Sequence, residues 1–373
     1  MKNSLAFLLC TLLFLTVFAG CDVIEPLLGS VEELSVSVEQ NNAYMQAVQL
    51  LEQGEIEQAY EMFLSMQDYR DVSKYLERFS FKCDTMGCFS WYEDHASSYR
   101  LEYERDAYGR TTEQRRYNHA SDDGELIQTH VYEYDAKGNL VCEANIFQEH
   151  RSETIRYEYD EQGRAIRMYQ GDGGIQVVYD ERGNVVKVLE NGTLSSTSVY
   201  NERGNEIECV YYGATGGITS RTTRVYNEYG DVVSMTVYDA NGKQVAHREY
   251  LLEYDQNGRM IRQESVGSSD VTVWEYDQAG RQTYNAFYKD GVLSYGFTTK
   301  YDQYGNQIES IRESEEGIRV TKWIYEYDQY GNVLSETREV NGKVEEQWVY
   351  SGYRLYYNPQ GECYIPTEFT GKG

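Results

Sequence analysis

The side chains of this chain that could do chemistry are carboxylates, and they recur at a fixed spacing. Asp135, Asp160, Asp180, Asp255, Asp277, Asp302 and Asp328 each follow a Tyr, and each stands three residues before a glycine: Gly138, Gly163, Gly183, Gly258, Gly280, Gly305 and Gly331. Asn201 before Gly204 and Asn227 before Gly230 continue the series with an amide in place of the acid. Stacked in a ladder, such carboxylates could take calcium, which wants six to eight oxygens. The spacing also has a conformational use without any ion. Asp at the first turn position accepts hydrogen bonds from the backbone two residues on, and Gly at the fourth adopts a positive φ at no steric cost.

Other chemistries find less support. Acidic pairs can cleave glycosidic bonds, but Asp and Glu are everywhere here and no pair stands out. Nucleophile elbow, zinc motif and phosphate loop are all missing, so an enzyme is not expected. Of seven cysteines, Cys10 lies in the apolar leader and Cys21 just after it, leaving Cys83, Cys88, Cys142, Cys209 and Cys363. Cys83 and Cys88 could close a short disulfide loop, whereas the other three read as small buried thiols. The five histidines have no ligand spacing, so no metal is expected through Cys or His.

The elements that must hold these turns are strands. Tyr132 and Tyr134, Tyr157 and Tyr159, Trp274 and Tyr276, and Tyr325 and Tyr327 each share a face across one intervening residue. An apolar residue stands three places past the glycine in most copies: Val141, Ile166, Val186, Ile207, Val233, Ile261, Ile308 and Leu334. These are expected to be paired core positions. In the middle copies the place before the Tyr becomes Val178, Val199 and Val225, so those strands are expected to be covered on both faces. A second set of turns, among them Asn191-Gly192, Asn241-Gly242, Asp290-Gly291 and Asn341-Gly342, falls midway between the first. With a period of roughly 25 residues, each repeat is two strands of about eight residues. A meander of about twenty such strands must curl, close or split as twist accumulates. Curling places the tyrosine ladder inside and a glutamate-rich face outside.

Tyr-Asp-x-x-Gly-Asn/Arg at this period resembles the YD repeat of the Rhs family, over about residues 103–362. The resemblance implies a spiralling β-sheet shell, with family roles in toxin encapsulation, cell contact and carbohydrate binding. The array looks short for a large cargo and only a dozen residues follow Gly361, so surface contact is expected rather than toxin delivery. Exposed rings that could stack on sugars include Tyr108, Tyr212, Tyr304 and Tyr330.

The flanking segments add an address. Met1 to Ser4, an apolar run from Leu5 to Phe18, and Phe18-Ala19-Gly20-Cys21 resemble the leader and lipobox of bacterial lipoproteins, with Phe where Leu is commonest. That resemblance implies cleavage before Cys21 and a lipid on its thiol. Leu50 to Ala59, followed by Phe63, resembles one tetratricopeptide helix pair, read here as a helical cap or spacer. Asp71 is expected to cap a third helix. The net charge of −27 disfavours nucleic acid and anionic headgroups.

The expected organisation is a signal peptide over 1–20, a lipid-anchored tether over 21–41 and a tetratricopeptide-like segment over 42–80. A connector over 81–102, the repeat domain over 103–362 and a tail over 363–373 complete it. The expected fold is mainly β, a curled antiparallel meander of hairpins forming an open or partly closed shell after a short α-helical segment. The expected function is a non-catalytic binding or adhesion surface on an extracytoplasmic, lipid-anchored protein, for a carbohydrate or envelope-protein ligand. A structural or partner-scaffolding envelope protein is the alternative.

Overall fold

A computed structural model describes residues 38–92, 95–121, 123–147 and 150–360. The leader, Cys21, most of the tether and the C-terminal tail lie outside the described residues. Two compact units divide the chain: residues up to Lys82 together with Leu355–Gly361, and Cys83–Arg354 together with the remaining C-terminal residues.

In the first unit a helix occupies residues 38–53, so the last residues of the expected tether are already helical. Gly54, at φ 81°, ends it, and Glu55 N–H reaches back to the Leu50 carbonyl at 2.9 Å. A backbone that must turn left-handed after a helix favours glycine. Ile56–Leu64 and Val72–Leu76 are the next helices. Ala47, Ala59, Phe63, Met66 and Val72 are buried together, with Tyr75 stacked on Phe63 at 4.7 Å. Asp71 stands at the N-cap position of the last helix, but its carboxylate makes no capping bond; it accepts from the Tyr44 hydroxyl at 2.9 Å instead. Phe79–Lys82 pairs with Arg354–Tyr357 as a two-stranded sheet.

The second unit is one closed antiparallel barrel of 22 strands, from Thr85–Tyr92 to Lys343–Ser351, each paired with its sequence neighbours. The expected open or partly closed shell is thus corrected to a closed one. Closure comes from residues read as a connector: Thr85 to Ser90 pair with Ser351 to Glu346 on one side and with Glu102 to Ser97 on the other. Thr85–Tyr92 carries no Tyr-Asp turn, which is why the repeat signature did not reveal it. At this seam the Asp84 N–H donates to the carbonyls of Ser351 (3.1 Å) and Gly352 (3.2 Å), and the Asp84 carboxylate pairs with Arg354 at 2.8 Å. A round ring of 22 strands at about 4.8 Å spacing and about 40° tilt measures roughly 40 Å across.

The two faces of the wall differ. Glu133, Glu158, Glu253, Glu275 and Glu326 are exposed, while Tyr132, Tyr134, Tyr157, Tyr325 and Tyr327 beside them are half-buried or buried. The sheltered tyrosine face carries the one extended apolar cluster of the wall, in which Leu140, Tyr157, Ala165 and Val177 are buried. Val178, Val199 and Val225 lie on the opposite face and are 38%, 51% and 57% exposed, so these strands are not covered on both sides. The other correction concerns the apolar residue after each turn. Tyr134 faces Leu140 and Glu133 faces Cys142, which leaves Val141 unpaired; Ile166, Val186, Ile207, Val233, Ile261, Ile308 and Leu334 are skipped in the same way. They are bulge residues, the extra residue that bends and twists a strand next to its turn. No disulfide joins Cys83 to Cys88; Cys142 and Cys209 are buried thiols, and Cys363 lies outside the described residues.

Candidate functional site

Alternation along an up-and-down meander puts the turns of the repeat on one rim of the barrel and the intervening turns on the other, where Tyr238-Asp239-Ala240-Asn241-Gly242 copies the same build. Ten Tyr-Asp-type turns form the first rim, beginning at Asp106 and ending at Asp328. Each is built alike. In the Asp135 turn the Asp135 N–H donates to the Asn139 carbonyl (2.9 Å) and the Gly138 N–H to the Asp135 carbonyl (3.0 Å). Gly138 has φ 91°, and the corresponding glycines Gly163, Gly183, Gly258, Gly280, Gly305 and Gly331 lie between 77° and 92°.

The carboxylates of the turns are fully engaged by their own turns. Asp135 Oδ1 accepts from the Lys137 and Asn139 N–H groups, and its Oδ2 from the Asn139 side chain at 3.0 Å. Asp180 and Asp328 repeat this with Asn184 and Asn332. Asp160, Asp255 and Asp277 use a guanidinium instead, from Arg164, Arg259 and Arg281, each at 2.7 Å. Here is the reason Asn or Arg follows the glycine, a preference the sequence displays without explaining: both donate sideways to Oδ2. The Asn184 side chain, then its backbone N–H, hold the Asp180 carboxyl below the usual carboxylate range. In Asp255 and Asp277 the backbone N–H of the following Arg leads, with its guanidinium adding to it. Burial works the other way in Asp135, Asp160, Asp302 and Asp328, but the turn donors outweigh it in Asp135, Asp160 and Asp328, and in Asp302 the Tyr327 hydroxyl leads with the turn donors behind it, so these too are lowered. Among the described residues no cluster of three or more His, Cys, Asp or Glu converges as a metal site.

The tyrosines join one turn to the one before. Tyr134 donates its hydroxyl to the Thr111 carbonyl (3.0 Å), Tyr159 to Leu140 (2.7 Å), Tyr179 to Ala165 (2.8 Å) and Tyr276 to Met260 (2.9 Å). Tyr200, Tyr226, Tyr301 and Tyr353 make the same bond. The repeated tyrosine is therefore a strut across two strands as well as a wall residue. Arg110, Arg164, Arg259 and Arg281 lie over the rings of Tyr134, Tyr179, Tyr276 and Tyr301 at 4.4–4.9 Å, a cation–π contact that adds to the same joint.

Two copies depart from this scheme, and both have a tyrosine just before the turn glycine. Tyr229 stacks on Tyr254 (4.1 Å), Tyr304 packs on Tyr327 (4.5 Å) with the rings tilted by 43°, and a Cβ on Gly331 would come within 3.2 Å of the Tyr304 ring. In these copies the Tyr254 hydroxyl donates to Asp231 Oδ2 (2.7 Å) and accepts from Asn227; Tyr327 donates to Asp302 and accepts from Asn306 (2.7 Å). Tyr229 and Tyr304 are thereby held on one side and remain 54% and 52% exposed on the other. Of the four rings expected to be exposed, Tyr108, Tyr304 and Tyr330 are on this rim at 40%, 52% and 51%, whereas Tyr212 lies half-buried near the opposite rim beside Thr197. Tyr229 was missed, although its place before Gly230 marks it as one of the same set. Shallow grooves run between neighbouring turns, one lined by Asp135, Lys137, Tyr157 and Asp160 and another by Asp180, Arg182, Tyr200 and Asn201.

One carboxylate on the wall stands apart from the periodic set. Glu336, on the tyrosine face, is flanked in register by Tyr325 and Trp348, and burial first and Glu346 second push its carboxyl above the usual range.

Fold and rim define a closed β-barrel with one edge made of a repeated, self-bracing turn. No protein-family model matches the chain, and no curated protein matches it. Solved structures similar to it include the Tc holotoxin pore of Photorhabdus luminescens, at 12% identity and TM-score 0.36 over 69% of this chain. A porin-like protein of Bacteroides uniformis is similar at 12% identity and TM-score 0.27 over 72% of this chain and 97% of its own. The TcdB2-TccC3-Cdc42 structure is similar at 12% identity and TM-score 0.25. The chain spans 17% of the length of the Tc proteins it matches.

Proposed function

We propose that this chain is a YD-repeat lipoprotein of a bacterial envelope, anchored through Cys21, whose Tyr-Asp rim is a non-catalytic binding or adhesion surface. The observation that carries the reading is the division of labour within each turn. Asp, Gly and the Asn or Arg that follows are consumed by folding, while the two residues between Asp and Gly project outward and change from copy to copy. A scaffold that is constant underneath and variable on top is how loops on a rigid frame acquire specificity. Charges on both faces support an anchored body rather than a spanning one: Glu133, Glu158 and Glu326 stand on one face and Arg116, Arg248 and Arg312 on the other. A charged group facing the middle of a bilayer costs about 2–4 kcal/mol for Arg or Lys. The test is capture of ligands by the mature protein from its native envelope, alongside a glycan array. Binding of neither a saccharide nor an envelope protein would sink the reading. Release of the protein from the membrane fraction by Cys21→Ala tests the anchor.

Glu336 favours a second reading, a glycan-acting enzyme with Glu336 as its acid and Glu346 beside it. Its test is hydrolysis of labelled glycans by the mature protein and by Glu336→Gln; equal release by both, or by neither, removes it.

A further inference from the structure

The ten turns of the rim do not present the same chemistry outward. From the Asp135 turn to the Asn227 turn every tip carries a charge in its two outward places: Lys137, then Glu161, Glu181 with Arg182, Glu202 with Arg203, and Glu228. The next four tips carry none: Gln256-Asn257, Gln278-Ala279, Gln303-Tyr304 and Gln329-Tyr330. In sequence the remaining uncharged tip, Ala107-Tyr108, lies at the far end of the array. Closure of the barrel through the pairing of Thr85–Tyr92 with Lys343–Ser351 brings it round towards Tyr330, with the seam of Asp84, Gly352 and Arg354 standing between the two turns. Four uncharged tips therefore form one unbroken arc and five charged tips the next, and Tyr108 lies across the seam from Tyr330.

The uncharged arc holds two exposed tyrosines, Tyr304 and Tyr330, and four exposed amides between Asp255 and Gly331 next to the turn acids: Gln256, Gln278, Gln303 and Gln329. Flat rings stack on the apolar faces of sugar rings, and amides both donate to and accept from hydroxyls. The charges beneath, Asp255 with Arg259 and Asp277 with Arg281, are paired within their turns. Tyr304 is already held by Tyr327 and Gly331, so presenting its free face costs little ordering entropy on binding. Neighbouring tips are two strand spacings apart, about 10 Å, comparable with one disaccharide of an extended polysaccharide.

Resting on the binding role proposed above, we infer that the arc from the Asp255 turn to the Asp328 turn is a linear site for an uncharged saccharide chain, with Tyr304 as its fixed stacking platform.

The experiment is isothermal titration of the mature protein with a panel of uncharged oligosaccharides (hexose and N-acetylhexosamine oligomers) and one uronic-acid oligomer. An uncharged oligomer is expected to bind. Tyr304→Ala is expected to weaken it about tenfold and Tyr330→Ala several-fold, with Tyr304→Phe within twofold, while Arg182→Ala and Arg203→Ala also stay within twofold. The unchanged Arg variants and the rescue by Phe separate a lost platform from a damaged fold. Binding that is lost on the charged arc but kept in Tyr304→Ala, or binding of the uronic-acid oligomer alone, overturns this inference and leaves the binding role standing. No saccharide binding at all overturns the inference, and capture of an envelope protein then decides whether the wider role survives.

Discussion

The two rims of the barrel solve the same problem in different ways. On the Tyr-Asp rim, ten turns share one backbone geometry, eight of them hold an Asp carboxylate at the first place, and a tyrosine joint to the preceding turn recurs. The opposite rim is heterogeneous. Asn191-Gly192, Asp290-Gly291 and Asn341-Gly342 are two-residue turns with positive φ at both places, whereas Gly213–Gly217, Asp239–Lys243 and Val266–Asp270 are longer, the Asp239 one alone with the carboxylate bonds of the first rim. Two-residue turns with φ > 0 match the twist of the strands they join, and the Asn191 and Asn341 side chains also accept from the N–H groups of Gly174 (2.8 Å) and Val320 (2.9 Å) in the hairpin before. The difference teaches where the repeat is constrained. On the Tyr-Asp rim one joint between neighbouring turns recurs, so the sequence is periodic; on the other rim the joints differ from turn to turn.

The largest test of that contrast is acid. The turn carboxyls are lowered in the fold by their donors, so they contribute stability above the unfolded Asp value of about 3.9 and lose it as pH falls through their folded values. Several such groups act together. Melting temperature is expected to drop steeply below about pH 4, and hydrogen exchange is expected to quicken at Asn139, Arg164 and Asn184 before it does at Gly192 and Gly342. Simultaneous loss at both rims would remove the carboxylates as the distinguishing feature.

Single sites come next. Asp135→Ala removes one acceptor of three hydrogen bonds and is expected to cost about 2 kcal/mol by denaturant unfolding. Tyr327→Phe, which removes a hydroxyl bonded to a carboxylate, is expected to cost about 1.5 kcal/mol, against about 1 kcal/mol for Tyr301→Phe, whose hydroxyl meets a carbonyl. Burial first, then the bond to Asp302, push Tyr327 up to about 12. A raised value means that its contribution holds below about pH 10 and is lost as pH rises through 12. In Tyr327→Phe that alkaline loss should be smaller than in the parent; an unchanged alkaline limb would exclude Tyr327 from it.

Much of this rim could be read from the sequence, because each turn is a local event. Asp, Gly and the shared face of Tyr132 and Tyr134 follow from the spacing alone, and the structure keeps them. What the sequence hid was non-local. Thr85–Tyr92 closes the barrel without any turn signature, since pairing between distant strands leaves no mark within either one. Val141 and its equivalents looked like core because they are apolar and regularly placed, but a bulge turns a regular place into an unpaired one. The tyrosine strut depends on which hairpins are neighbours. Tyr229 could have been found by its match to Tyr304 and Tyr330 before the turn glycine.

The smallest effect is the most discriminating. Asp290 and Asp135 both precede turn glycines, yet Asp290 sits at φ 51° in a two-residue turn, where Asn is as well tolerated as Asp. Asp290→Asn is therefore expected to change stability by less than about 0.5 kcal/mol. For Asp135→Asn the chain contains its own preview in the Asn201 turn, where Oδ1 still accepts from the Arg203 and Asn205 N–H groups at 2.9 and 3.0 Å. What an amide loses there is the Oδ2 acceptor, because its NH2 would meet the NH2 of Asn139, so a cost of about 1 kcal/mol is expected. Urea melts of the two variants compare the rims at one atom each. Equal costs would mean that the carboxylate adds nothing beyond an Asx turn, and that the Tyr-Asp rim differs from its opposite only in its tyrosines.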